Sequence, residues 1–209
     1  MATYAWPSTR AFLPSQADMW LENVDLVERS LLGGGQQTAG QPGAHWRAAL
    51  SFDADQSTRR QELLGFLRRL NGKEHRTSLW DLRKFGVANA QGVPAGSINT
   101  AGVTVKTTVA QFAVTVVLAG CGATRTLLPG DMLSINGQLI EACELATSDA
   151  LGDMTVLVPQ RLRAQALAAA PVTLVRPTAL FVLSDVFHGP RSRAMYESFV
   201  VEFEEVFSA

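Results

Sequence analysis

The chain is poor in the residues that most catalytic and metal-binding proteins display. Its 209 residues include two cysteines, Cys121 and Cys143, and three histidines, His45, His75 and His188. Two cysteines cannot build a disulfide framework, and their spacing fits no zinc site, so both read as small buried residues in a reducing compartment. No histidine stands in a ligand-like cluster with Cys, Asp or Glu, which argues against a metal centre. Charged residues make up 18% of the chain and nearly cancel, leaving a formal net charge of -1. That balance excludes nucleic-acid binding driven by bulk charge. The longest apolar stretch, Phe112–Cys121, is too short to span a bilayer. The N-terminus has no basic stretch leading into an apolar run, so no signal peptide is expected. The glycines Gly33-Gly34-Gly35 are not followed by lysine and do not form a phosphate-cradling loop. Ser184, Asp185 and His188 lie close together, but no Gly-x-Ser-x-Gly elbow occurs and the three read as polar loop residues. Glu204 and Glu205 point to opposite sides of a strand and cannot share a substrate. The expectation is therefore a protein without catalytic activity, cofactor or metal.

What the chain has is periodicity. Hydrophobic residues make up 47%, enough for a sizeable core. Met1–Pro14 reads as irregular, because Trp6-Pro7 and Leu13-Pro14 block a helix. Gly33-Gly34-Gly35 and Gly40–Gly43 bound a predicted loop. His45–Phe52 alternates as a strand, with Trp46, Ala48, Leu50 and Phe52 on one face. Ser57–Leu70 is the clearest helix, with Leu63, Leu64, Phe66, Leu67 and Leu70 forming its apolar stripe. Asp55, Ser57 or Thr58 can cap its start, and Asn71-Gly72 can end it. Its polar face is read as carrying Arg59, Arg60, Arg68 and Arg69, either solvated or set against acidic neighbours. Thr77–Leu82 follows as a strand.

From about Val87 to Thr173 the chain is rich in Val, Thr, Ala and Gly and poor in charge. Val103–Thr108 and Ala113–Ala119 are β-branched runs. Met132–Ile135, Asn136-Gly137 and Leu139–Leu145 make a hairpin pattern, since Asn-Gly favours a type I′ turn. Asp149–Asp153 reads as a turn, Met154–Val158 and Val172–Val175 as strands, and Arg161–Ala170 fits a short helix or none. Short strands at regular spacing suggest a small β-barrel or sandwich. A strand at Phe181–Leu183, a polar loop at Asp185–Arg193 and a long strand at Glu197–Phe207 close the chain. Charge gathers at the two ends. The sequence thus suggests a discontinuous domain from residues 1–86 and 174–209, with an inserted β-rich domain at 87–173.

Several segments, in order, carry a resemblance. Val27-Glu28-Arg29-Ser30 leads into Gly35-Gln36-Gln37. A strand bearing Trp46 follows, then a helix ending Leu70-Asn71-Gly72 and a strand closing on Leu79-Trp80-Asp81. Later come Gly130-Asp131 opening a strand, Pro159 to Leu162-Arg163, and Phe181-Val182-Leu183. Over about Val27 to Leu183 this order resembles the distal tail proteins of long-tailed bacteriophages. The chain departs from them at Ser30-Leu31-Leu32-Gly33-Gly34, where the family often has Ser-Pro-Phe-Thr-Gly, and at Arg76-Thr77-Ser78-Leu79, where it usually has Gly-Thr-Phe.

The resemblance implies a mainly β (α+β) protein: a β-sandwich ring domain with one helix, plus an inserted, small, β-barrel-like domain. It implies a structural virion protein in a hexameric ring that joins the tail tube to the baseplate hub and fibres. The implied partners are the chain itself, the tube protein, the hub and other tail-tip proteins, and tail fibres, with no specific nucleic acid and no membrane insertion. The implied location is the virion tail, after synthesis in the host cytoplasm. Arg59, Arg60, Arg68, Arg69, Glu202, Glu204 and Glu205 are the candidate subunit-contact residues. Two alternatives remain: another tail component such as a tube or terminator protein, and a host-glycan-binding module. Val87–Thr173 holds one aromatic residue, Phe112, which is few for a sugar-stacking platform.

Overall fold

Alternation along three strands sets the largest sheet. In the computed structural model, residues 1–7, 12–23, 25–29, 36–40, 43–53, 58–84, 93–185 and 198–207 are described; for 25–29, 36–40, 58, 59 and 84 the description covers the backbone alone. The strands are β1 (Thr3–Ala5), β2 (Gln16–Glu22), β3 (Asp25–Arg29), β4 (Gln36–Gly40), β5 (His45–Phe52) and β6 (Arg76–Trp80), with helix α1 (Thr58–Leu70) between β5 and β6. After β6 come the short strands β7 (Thr104–Val105), β8 (Thr115–Ala119), β9 (Thr126–Leu127), β10 (Met132–Ile135), β11 (Gln138–Glu141), β12 (Ala146–Thr147), β13 (Met154–Leu157) and β14 (Val172–Thr173). β15 (Thr178–Leu183) and β16 (Phe199–Glu205) complete the chain. The fold is mainly β with one α-helix and several sheets, and among the described residues no sheet closes into a barrel.

The six-stranded sheet runs β1-β6-β15-β16-β5-β2. All its strands come from the two ends of the chain. Only β1 and β6 pair in parallel; the other neighbours are antiparallel. β5 buries Trp46, Ala48, Leu50 and Phe52, and β16 answers with Val201 opposite Leu50 and Phe203 opposite Ala48. On β2, Met19 lies opposite Ala48 from the other side. One face of the sheet is thus apolar and pairs laterally, as cross-strand packing favours. α1 covers that face. Leu63, Leu67 and Leu70 join the cluster that contains Leu50, Phe181 and Phe203. Trp6 and Phe12 meet Phe66 edge to face, with ring centroids 5.5 and 5.4 Å away.

A second cluster of buried side chains gathers between Ile98 and Leu174, including Val105, Leu118, Leu133, Ile140 and Val156. Its sheets are β11-β10-β14, β13-β8-β7 and β12-β9. Asn136 and Gly137 join β10 to β11 with φ of 52° and 76°, the two positive values of a type I′ turn. Met132 and Leu139 belong to the first cluster, so the β10–β11 hairpin touches both cores.

Three expectations are corrected. The N-terminal segment is not wholly irregular, because β1 pairs with β6 ahead of the Trp6-Pro7 step. The span between the glycine groups is not simply a loop: β4 occupies Gln36–Gly40 and pairs with β3. Arg161–Ala170 forms no helix; Arg161 and Ala169 adopt positive φ, 60° and 63°, and Ala166 makes an isolated bridge to Val109. The helix caps Asp55 and Ser57, the loop at 186–193 and His188 lie outside the described residues.

Candidate subunit-contact surface

Helical spacing divides the four arginines. Arg60, Leu63, Leu67 and Leu70 stand at i, i+3, i+7 and i+10, which is one stripe of the helix. Arg60 is accordingly buried, 8% exposed, with its guanidinium 5.1 Å from the Phe199 ring centroid. Its placement on the polar face is therefore corrected: the apolar stem packs and the head meets an aromatic face. Arg68 and Arg69 are exposed. Arg69 lies 4.0 Å over the Tyr4 ring, whereas the Arg68 side chain makes no hydrogen bond or ion pair among the described residues. The side chain of Arg59 is outside the described residues.

Strand alternation divides the three glutamates in the same way. Glu202 is exposed and has no ionic partner among the described residues. Glu204 is half-buried and shares a charge network, with His45 Nε2 and Lys73 Nζ each 3.7 Å away. Glu22 joins it, contacting His45 Nε2 at 3.2 Å and pairing with Arg47. Glu205 falls two residues after Phe203, on the apolar face, and is 3% exposed. It is no free contact residue. Its Oε2 accepts from Arg163 Nη2 at 2.6 Å and from the Trp46 backbone N–H at 2.9 Å. Arg163 Nη2 also donates to the Ala44 carbonyl at 2.6 Å, and its guanidinium lies 3.8 Å from the Phe207 ring centroid.

The pair sits where the two cores meet. Trp46 Nε1 and Gln160 Nε2 both donate to the Leu139 carbonyl, each at 3.0 Å. Gln138 Nε2 donates to the Arg161 carbonyl, and its Oε1 accepts from the Arg163 N–H, both at 2.8 Å. A pocket of about 70 Å³ beside the junction includes Asn136, Gln138, Leu162, Arg163 and Phe207. Its one charged group is already paired, which leaves it a poor ligand site.

Two buried aspartates anchor turns. Asp131 accepts the backbone N–H groups of Ala95, Gly96 and Leu128 at 2.6, 3.0 and 2.8 Å. Asp81 grips Arg83 with two bonds of 2.9 Å, and Arg83 Nη1 reaches the Met19 carbonyl on β2 at 2.9 Å. The hydrogen bond to Asp81 raises the Arg83 pKa despite partial burial.

No protein-family model matches the chain, and no curated protein matches it. Trp46, Asp81, Asp131, Leu162, Arg163 and Phe181, which bear the family-like pattern, are all in buried or bonded framework positions. Among the described residues no three His, Cys, Asp or Glu groups converge as a metal would need. No described helix is long and apolar enough to cross a membrane. Cys121 is buried, and burial pushes its thiol up to about 11; Cys143 is exposed, contrary to the expectation that both are buried.

Sequence reasoning takes Trp20, with Trp6, Trp46 and Trp80, for core packing or subunit contact without choosing between them, and it missed Gly65. Trp20 is 42% exposed on β2, and Gly65 stands mid-helix. The exposure of the first could not be read because β2 was not recognised. The second carried a signal, since glycine is unfavourable in a helix interior.

Proposed function

We propose that the chain is a structural virion protein of a long-tailed bacteriophage, forming a hexameric ring at the distal end of the tail between tube and baseplate hub. In this reading the chain ends make a β-sandwich ring domain and the middle is a small inserted domain that faces fibres or other tip proteins. One observation supports it most. The two ends of the chain share one six-stranded sheet under α1, while the charge-poor middle gathers a core of its own. That is the plan a split ring domain with an insertion requires. The glycan-module reading gains little, because Phe112, 45% exposed, stands without an aromatic neighbour in the middle segment.

Mass spectrometry of purified particles that encode the chain tests the proposal. The expected outcome is the intact chain in the tail fraction at far lower abundance than the tube protein. Its absence from tails, or abundance equal to the tube protein, contradicts the distal-ring reading.

A further inference from the structure

Two surface features have no explanation among the described residues of a single chain. The first is Gly65. It lies mid-helix, is exposed, and a Cβ there would meet nothing within 4 Å. Its backbone is not left-handed, so neither backbone conformation nor internal packing requires glycine. Gln61, Glu62, Arg68 and Arg69 stand at i-4, i-3, i+3 and i+4 and are exposed, which makes a flat spot with two arginines on its C-terminal side and one carboxylate on its N-terminal side. The Arg68 side chain has no hydrogen bond or ion pair among the described residues.

The second feature is the outer face of β2, β5 and β16. The register sets Asp18, Ala49 and Glu202 in one row, between the rows Trp20-Arg47-Glu204 and Gln16-Ser51-Val200. Trp20 is 42% and Val200 57% exposed, and the exposed carboxylates of Asp18 and Glu202 pair with no cation among the described residues. The middle row carries the two carboxylates on either side of Ala49, and Trp20 and Val200 stand at opposite corners of the face. This face lies on the opposite side of the sheet from α1, because α1 packs on the face of Leu50 and Phe203.

We propose that the outer side of α1 in one copy docks on the outer β2-β5-β16 face of a second copy, with Trp20 approaching Gly65 and Arg68 opposite Glu202. Arg68 and Glu202 are complementary in charge, and the side-chain-free patch at Gly65 admits a bulky ring. The two surfaces differ and lie on opposite sides, so the contact is head-to-tail and propagates from copy to copy. The inference deepens the ring reading by naming the surfaces and rests on it for closure.

Sedimentation of the purified chain across concentration, at low salt where charge contacts persist, reads the contact. Wild type associates as concentration rises. R68E and E202R each reduce association, since each sets like charges face to face. An equimolar mixture of the two single variants regains it, because copies alternate and every junction again joins opposite charges. G65Q, which favours helix, weakens association while the circular dichroism spectrum is kept. A wild type that stays monomeric at its highest soluble concentration overturns the proposal. So does a mixture that stays as dispersed as its components, or variants that associate like wild type. None of these results bears on whether the chain is present in tails, which the particle analysis reads separately.

Discussion

Glu205 is a buried charge held by two donors, the Arg163 guanidinium and the Trp46 backbone N–H. Removing one partner from a buried ion pair typically costs roughly 3–5 kcal/mol, since the other charge stays desolvated. Glu205→Ala should therefore lower stability by about 3 kcal/mol, discounted from the upper end because Arg163 keeps its bond to the Ala44 carbonyl. Urea unfolding measures it, and a loss within error of zero contradicts the junction role. At Cys121 burial holds the thiol protonated, up to about 11, whereas the unfolded thiol ionises near its ordinary value. The associated stability is full below that ordinary value and is lost as pH rises toward 11. In the folded protein at neutral pH only the exposed Cys143 should react with a thiol reagent, and both cysteines should react in denaturant. Equal labelling rates in the native state contradict the buried placement. Much of this was legible one residue at a time. Strand parity already placed Glu202 and Glu204 away from Phe203, and the same parity puts Glu205 beside it. The spacing of Arg60 from Leu63 and Leu67 likewise marks it as a stripe residue. What the sequence could not supply was Arg163, because a partner 42 residues away in the chain is chosen by tertiary packing.

At the scale of elements, local period and turn chemistry did most of the work. β5 runs His45–Phe52 and the β10–β11 hairpin turns at Asn136-Gly137, both as the pattern predicts. α1 covers nearly its expected span, Thr58–Leu70. β1 and β2 were hidden for a physical reason. β1 is three residues long, and β2 pairs on one side only, so neither shows a strong alternating run. The turn-rich segment after Leu157 imitates a helix in composition, yet positive φ at Arg161 and Ala169 shows that tertiary contacts override propensity there. Gly65 offers a direct check on α1. Gly65→Ala should raise stability by about 0.5–1 kcal/mol, since nothing among the described residues would clash with the added methyl. A fall in the melting temperature would show that the helix's outer side is covered within the chain.

The whole molecule depends on its last strand. β16 lies between β15 and β5, inside the sheet, and carries Phe203 into the centre of the core. Deleting residues 198–209 should abolish soluble folding; a truncated chain with an unchanged melting transition contradicts this placement. Across copies, an exposed Arg68–Glu202 pair would contribute only about 0.2–1 kcal/mol. Repeated around a ring it still fixes orientation, because misaligned like charges are penalised. The proposed domain plan rests in the sequence on a drop in charge through its middle. The small sheets within it were legible only as turns and β-branched runs, since strands of two residues leave no period to read. The central claim, a ring at the tail tip, is tested most directly by an electron cryo-microscopy reconstruction of the tail end of particles that encode this chain. The expected result is six copies encircling the axis between tube and hub, with α1 of each copy against the β2-β5-β16 face of the next. Density for the chain elsewhere in the particle, or as isolated single copies at the tip, contradicts it.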